Sequence, residues 1–188
     1  MSRFRQLDRT DLDTEQTRIY DDIVDTRGSI DGPFRTWLHS PELADRAQKL
    51  GEFVRYRTSL GPRLSELAIL ITARFWDCQV EWSLHEGTAI EAGLNRNTID
   101  AIRHSQYPEF NRKDERAVYD YTSELLYNRF VQDRSFAAAT EELGKTGVVE
   151  LTGLIGYYSM VALTLNGFQV PVPENYAPTL VDCPTFRR

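Results

Sequence analysis

Cys78, Glu81 and His85 stand three and four residues apart in the segment Trp76-Asp77-Cys78-Gln79-Val80-Glu81-Trp82-Ser83-Leu84-His85. On a helix this spacing sets a thiol, a carboxylate and an imidazole along one face. Three readings are open. The first is a solvated Glu–His pair beside a core cysteine. The second is a metal site, but the other histidines, His39 and His104, stand alone in the sequence, so no metal is expected. The third is proton transfer, in which Glu81 orients and tunes a histidine that titrates near neutrality. Cys78 and His85 lie about 10 Å apart along a helix axis, so Glu81 is the natural bridge between them. A lone cysteine is more often a core residue than a nucleophile. Glu66 interrupts the apolar run Ser65-Glu66-Leu67-Ala68-Ile69-Leu70. It is either a first-turn carboxylate favoured by the helix N-terminus or a second acid that meets the Cys78–His85 face when two helices pack antiparallel.

The elements that must position these groups read as helices throughout. A first helix starts near Asp13 or Thr14 and ends at Gly28. Phe34, Trp37 and Leu38 form a small apolar cluster. Ser40-Pro41-Glu42 combines a cap, a proline at the first helical position and an early acid, opening a helix to about Tyr56 with Leu43, Ala47, Leu50 and Val54 inward. Arg63 to Phe75 follows, with Leu64, Leu67, Ala68, Ile71 and Thr72 inward. Then come Asp77 to Ala92, a short helix capped by Asn95, Asp114 to Phe130, Phe136 to Leu143 ending at Gly144, and Thr146 to Leu165. No strand alternation is seen, so the expected class is all-α. One domain is expected over residues 1–188, its core at about 30–175, between a loosely held N-terminal segment and a Pro-rich tail wrapping over a surface.

Composition narrows the function classes. The net charge is -6 and the arginines are scattered, which argues against nucleic acid and against an anionic membrane surface. Val148 to Phe168 is long enough to span a bilayer, but it holds Glu150 and three glycines, and it reads as a buried central helix. The N-terminal segment has no apolar stretch of the signal-peptide kind. Cys78 and Cys183 are expected as free thiols in a reducing cytoplasm.

Arg63-Leu64-Ser65-Glu66-Leu67-Ala68-Ile69-Leu70, Cys78 twelve positions after Glu66, then Glu81-Trp82-Ser83-Leu84-His85 and Ala89-Ile90-Glu91-Ala92-Gly93-Leu94 resemble the core motif of the carboxymuconolactone decarboxylase / alkylhydroperoxidase D superfamily. The Val148–Asn166 stretch is similar to its C-terminal helix, and the resemblance spans roughly residues 30–175. It implies an alkylhydroperoxidase D-like helical bundle and a homo-oligomer (dimer, trimer or hexamer). It also implies either cofactor-free decarboxylation or thiol peroxidase chemistry. In the peroxidase branch a glutamate precedes Cys-x-x-Cys-x-x-x-His. By that resemblance Glu66 matches the relay acid, Cys78 the first cysteine and His85 the histidine. Glu81 occupies the place of the attacking cysteine. A carboxylate cannot reduce a peroxide, so the decarboxylase-like branch is the expectation, with no cofactor and a small carboxylic acid as substrate. His85 is then the proton donor, oriented by Glu81 and relayed by Glu66. Trp82, Trp76 and Tyr157 are candidate pocket walls, and Arg74 is a candidate carboxylate clamp. The alternatives are a peroxidase-like role for Cys78 alone and a non-catalytic oligomeric binding protein.

Overall fold

A computed structural model describes residues 2–181. Among them there is no strand, and the chain is all-α as expected. The helices are α1 (Thr14–Arg27), α2 (Phe34–Trp37), α3 (Pro41–Tyr56), α4 (Gly61–Phe75), α5 (Gln79–Glu91), α6 (Arg96–Arg103), α7 (Lys113–Asn128) and α8 (Asp133–Phe168). Cys183 lies outside the described residues.

Local chemistry sets several boundaries. Asp13 and Gln16 close a reciprocal capping box on α1, and Gly28, at φ 75°, ends it by donating its N–H to Val24. Pro41 opens α3 as expected, although the Ser40 side chain makes no cap bond. Gly144 (φ 68°, ψ 173°) breaks α8 where the sequence placed the end of one helix and the start of another.

The centre of the molecule is α4. Every residue from Leu64 to Ala73 is buried, the mark of a helix covered on all sides. It packs against α5, α7 and α8. Helix α8 is long and apolar enough to cross a membrane by length and composition. Yet Leu151, Leu154, Ile155, Tyr158, Val161, Ala162 and Leu165 join the same core, as a central helix should.

On α3 the inward stripe differs from expectation. Ala44, Ala47, Gln48, Gly51 and Val54 are buried, whereas Leu43 and Leu50 are 45% and 48% exposed. The cause is Gly51. A Cβ there would stand 2.1 Å from the Tyr157 hydroxyl, so α3 turns its small-residue side to α8 to admit that ring.

Both ends of the described segment are tied down. The N-terminal segment, expected to be loose, donates from Arg3 N–H to the Phe168 carbonyl (2.8 Å) and sets Phe4 edge-on to Phe168 and His39. After α8 the Pro-rich tail runs back over α5. Ser83 donates to the Ala177 carbonyl (3.0 Å), Trp82 Nε1 to Thr179 Oγ1 (3.1 Å) and Arg74 to the Val181 carbonyl (2.6 Å). Leu180 is buried.

Candidate active site

The α4–α5 hairpin brings Glu66 and His85 together. Glu66 projects from the buried body of α4 onto His85 Nδ1 at 2.6 Å, and Glu81, one turn before His85 on α5, meets Nε2 at 3.0 Å. All three side chains are buried. The imidazole therefore sits between two carboxylates with both nitrogens engaged. Of the two readings of Glu66, the structure supports the acid that meets the α5 face. Tyr158 of α8 stands edge-on to the His85 ring, with centroids 5.3 Å apart.

Burial opposes a charge on His85, but the charge and hydrogen bond of Glu66 and the hydrogen bond of Glu81 outweigh it, against a small opposing effect of Arg55. The imidazole is held above its ordinary pKa of 6.5. Burial pushes the Tyr158 phenol well above its ordinary range, and Glu81 and Glu66 add to this against the pull of Arg55. Tyr157 is raised as well, by burial first. Both tyrosines thus stay protonated at neutral pH.

Glu81 and His85 line a cavity of about 160 Å³ that opens beside α1, α3 and α8. Its other walls include Arg27, Arg55, Tyr56, Tyr157, Tyr158 and, from the tail, Tyr176. A roomier groove of about 310 Å³ between α7 and α8, edged by Arg116 and Arg134, lies away from the imidazole and holds no comparable acid–base cluster.

The other expected site residues separate. Tyr157 lines the cavity, as expected. Trp82 does not. It is fully buried, and its indole N–H points to Glu86 and Thr179, because neighbours on a helix are set about 100° apart and Glu81 already faces the cavity. Trp76 is also absent from the cavity. It stacks edge-on with Phe75, and its carbonyl accepts from Asn166. Arg74 is not a clamp: it pairs with Asp77 at 2.6 Å and donates to the carbonyls of Arg103 and Val181. Cys78 does not continue the Glu81–His85 line. Asp77 adopts φ 48°, and Cys78 is the extended residue before α5, fully buried and outside the cavity wall. Among the described residues no group of three or more His, Cys, Asp or Glu side chains is arranged so that it could hold a metal ion. Arg27 and Arg55 were not foreseen. Each reads locally as an ordinary helix arginine, and only the packing of α1 against α3 brings both to the cavity.

Comparison with known proteins agrees with this architecture. Residues 41–124 match the model of the carboxymuconolactone decarboxylase family. That span is narrower than the stretch of resemblance but includes Glu66, Cys78, Glu81 and His85. No curated protein matches the sequence significantly. Among solved structures, a protein of unknown function from Agrobacterium tumefaciens, described as a candidate antioxidant-defence protein AhpD, superposes with TM-score 0.66 at 18% identity. The match covers 76% of this chain and 99% of that one. A variant of the debrominase Bmp8 in complex with 2,3,4-tribromopyrrole superposes with TM-score 0.73 at 15% identity over 90% of both chains. Apo Bmp8 gives TM-score 0.72 at 16% identity over 90% of this chain and 91% of that one. These likenesses establish the fold. Residues 41–124 are thus similar to the carboxymuconolactone decarboxylase family, on an alkylhydroperoxidase D-like helical fold.

Proposed function

We propose that the protein is a cofactor-free carboxy-lyase that removes CO2 from a small lactone or oxo carboxylic acid by proton transfer through Glu66, His85 and Glu81. The observation that carries this reading is the imidazole clamped between two carboxylates in the wall of a cavity. In the step itself, the bond between the carboxylate carbon and its neighbour breaks. Its electron pair moves onto the substrate's own carbonyl, CO2 leaves, and the carbon then takes a proton. With Nδ1 and Nε2 of His85 both engaged, Glu81 is the group that passes the proton to the cavity, His85 reloads it and Glu66 fixes the ring. The raised pKa favours the protonated imidazole, the state a donor needs.

Two features favour this reading over the alternatives. Cys78 is fully buried and outside the cavity, which disfavours a peroxidase-like thiol. The cavity over His85 disfavours a scaffold that has lost its site. The protein would act in the cytoplasm as a homo-oligomer. The surface assigned to that contact is the uncovered face of α8, where Val149 is 72% and Leu163 53% exposed and a Cβ added at Gly153 or Gly156 meets nothing. The test is CO2 release from a panel of five- and six-membered lactone and oxo acids. The expected result is turnover by the wild type and a loss of about 100-fold or more in His85→Gln. Equal turnover in the two would refute the proposal.

A further inference from the structure

The cavity that holds Glu81 and His85 is also lined by cationic side chains. Arg55 comes from α3 and Arg27 from the last turn of α1, and both line the same space as Glu81 and His85. Other part-buried arginines are neutralised by carboxylates: Arg63 by Asp114, Arg74 by Asp77 and Arg103 by Asp100. Among the described residues no carboxylate stands within ion-pair distance of Arg27 or Arg55. Arg27 lies over the Phe34 ring at 4.7 Å and donates to the Gln48 carbonyl at 3.3 Å, and its Nε is buried without a hydrogen-bond partner. Arg55 lies 5.2 Å from the Tyr56 ring centroid. Aromatic faces hold both guanidiniums in place, and the more distant charges of Glu66 and Glu81 act on Arg55 without pairing directly with it.

We propose that Arg55, together with Arg27, is the subsite that selects a ring-sized anion for this cavity and sets its orientation toward Glu81. The inference rests on the relay reading for the direction in which the ligand points, but not for the binding itself. A guanidinium takes a carboxylate, or the oxyanion left when CO2 departs, through two parallel hydrogen bonds. The size fits: a cavity of roughly 150 Å³ is known to take a benzene-sized ring, and this one measures about 160 Å³. The other walls include the rings of Tyr56, Tyr157, Tyr158 and Tyr176, flat surfaces suited to a planar ligand. Arg55 is thus a positioning residue. It fixes which atom of the ring faces the relay.

The experiment is calorimetric titration of the full chain with 2-furoate and with 2-furamide, which share a ring and differ in charge. The wild type is expected to bind furoate about tenfold or more tightly than furamide. Arg55→Met is expected to erase that preference, Arg55→Lys to restore part of it, and His85→Gln to retain it. A thermal melt of each variant without ligand checks folding. Should Arg55→Met fail to fold, Arg27→Gln and Arg55→Lys carry the test, each expected to show a reduced preference. Equal binding of the two probes by wild type, no binding of furoate, an intact preference in the arginine variants, or its loss in His85→Gln overturns the subsite. Failure of the relay would show instead as unaltered turnover in His85→Gln, with binding selectivity still controlled by Arg55.

Discussion

Glu66 Oε2 and His85 Nδ1 meet at 2.6 Å across the α4–α5 hairpin, both buried. A buried imidazole would by itself lose its proton more readily. It is held above 6.5 because Glu66, with the hydrogen bond of Glu81, outweighs the desolvation. Glu66→Gln removes the charge and keeps the shape. An NMR titration of the His85 ring should then show its pKa falling, and the alkaline limb of turnover should move down with it. Stability follows the same sign. A raised folded pKa contributes stability that is complete below 6.5 and is lost as pH rises through the folded value. The melting temperature of the wild type should therefore fall on that alkaline side, and Glu66→Gln should flatten the fall. An unmoved His85 titration in Glu66→Gln would contradict this.

Gly51 is where α3 makes room for the cavity wall. An added Cβ would lie 2.1 Å from the Tyr157 hydroxyl and 2.7 Å from Arg27 Nη2. Gly51→Ala should destabilise the protein by about 1–3 kcal/mol through overpacking, despite the roughly 1 kcal/mol that alanine gains over glycine in a helix. Gly87, on the exposed side of α5, has nothing within 4 Å of such a Cβ. Gly87→Ala should stabilise by up to about 1 kcal/mol. Chemical denaturation of the two variants measures both signs.

Cys78 is fully buried, and a thiol oxidises readily only where it is accessible as thiolate. Cys78→Ala should keep turnover while losing about 1 kcal/mol of stability. Mild peroxide followed by mass spectrometry should leave residue 78 unmodified. A sulfenic acid at Cys78 would shift the case to thiol chemistry.

The uncovered stripe of α8 predicts a defined assembly. Val149 and Leu163 lie on its exposed side with Gly153 and Gly156 between them, so a second helix can approach closely. Val149→Asp combined with Leu163→Arg should reduce the mass measured by light scattering to that of one chain, with the helical circular dichroism unchanged. A wild type that is already a single chain would refute the contact.

How much of this was legible in the sequence depends on the range of the signal. Helix starts and stops written in one or two residues, such as Pro41, Gly28 and Gly144, read correctly. So did the Glu81–His85 pair, because i and i+4 share a face whatever surrounds the helix. Whether Glu66 reaches His85 stayed open in the sequence, because the contact depends on two helices packing antiparallel. Periodicity misread α3: Leu43 and Leu50 are large and apolar, but Gly51 sets the inward face by admitting Tyr157. Arg27 and Arg55 carry no local mark. They become a pair only when α1 and α3 bring them to one cavity, whereas Arg74 sat close to the motif in sequence and pointed elsewhere. Trp82 was misassigned for a simpler reason, since the residue after Glu81 is turned away from it.

In the proposed mechanism Glu81, loaded by His85, gives the proton to the carbon that has lost CO2. The most direct measurement is the reaction of a responsive lactone or oxo acid in D2O, followed by NMR, in the wild type and in Glu81→Gln. The wild type is expected to deliver one deuterium to a single face of that carbon, with the rate falling about 100-fold or more in Glu81→Gln. Equal rates in the two proteins, or deuterium on both faces in the wild type, would contradict that mechanism.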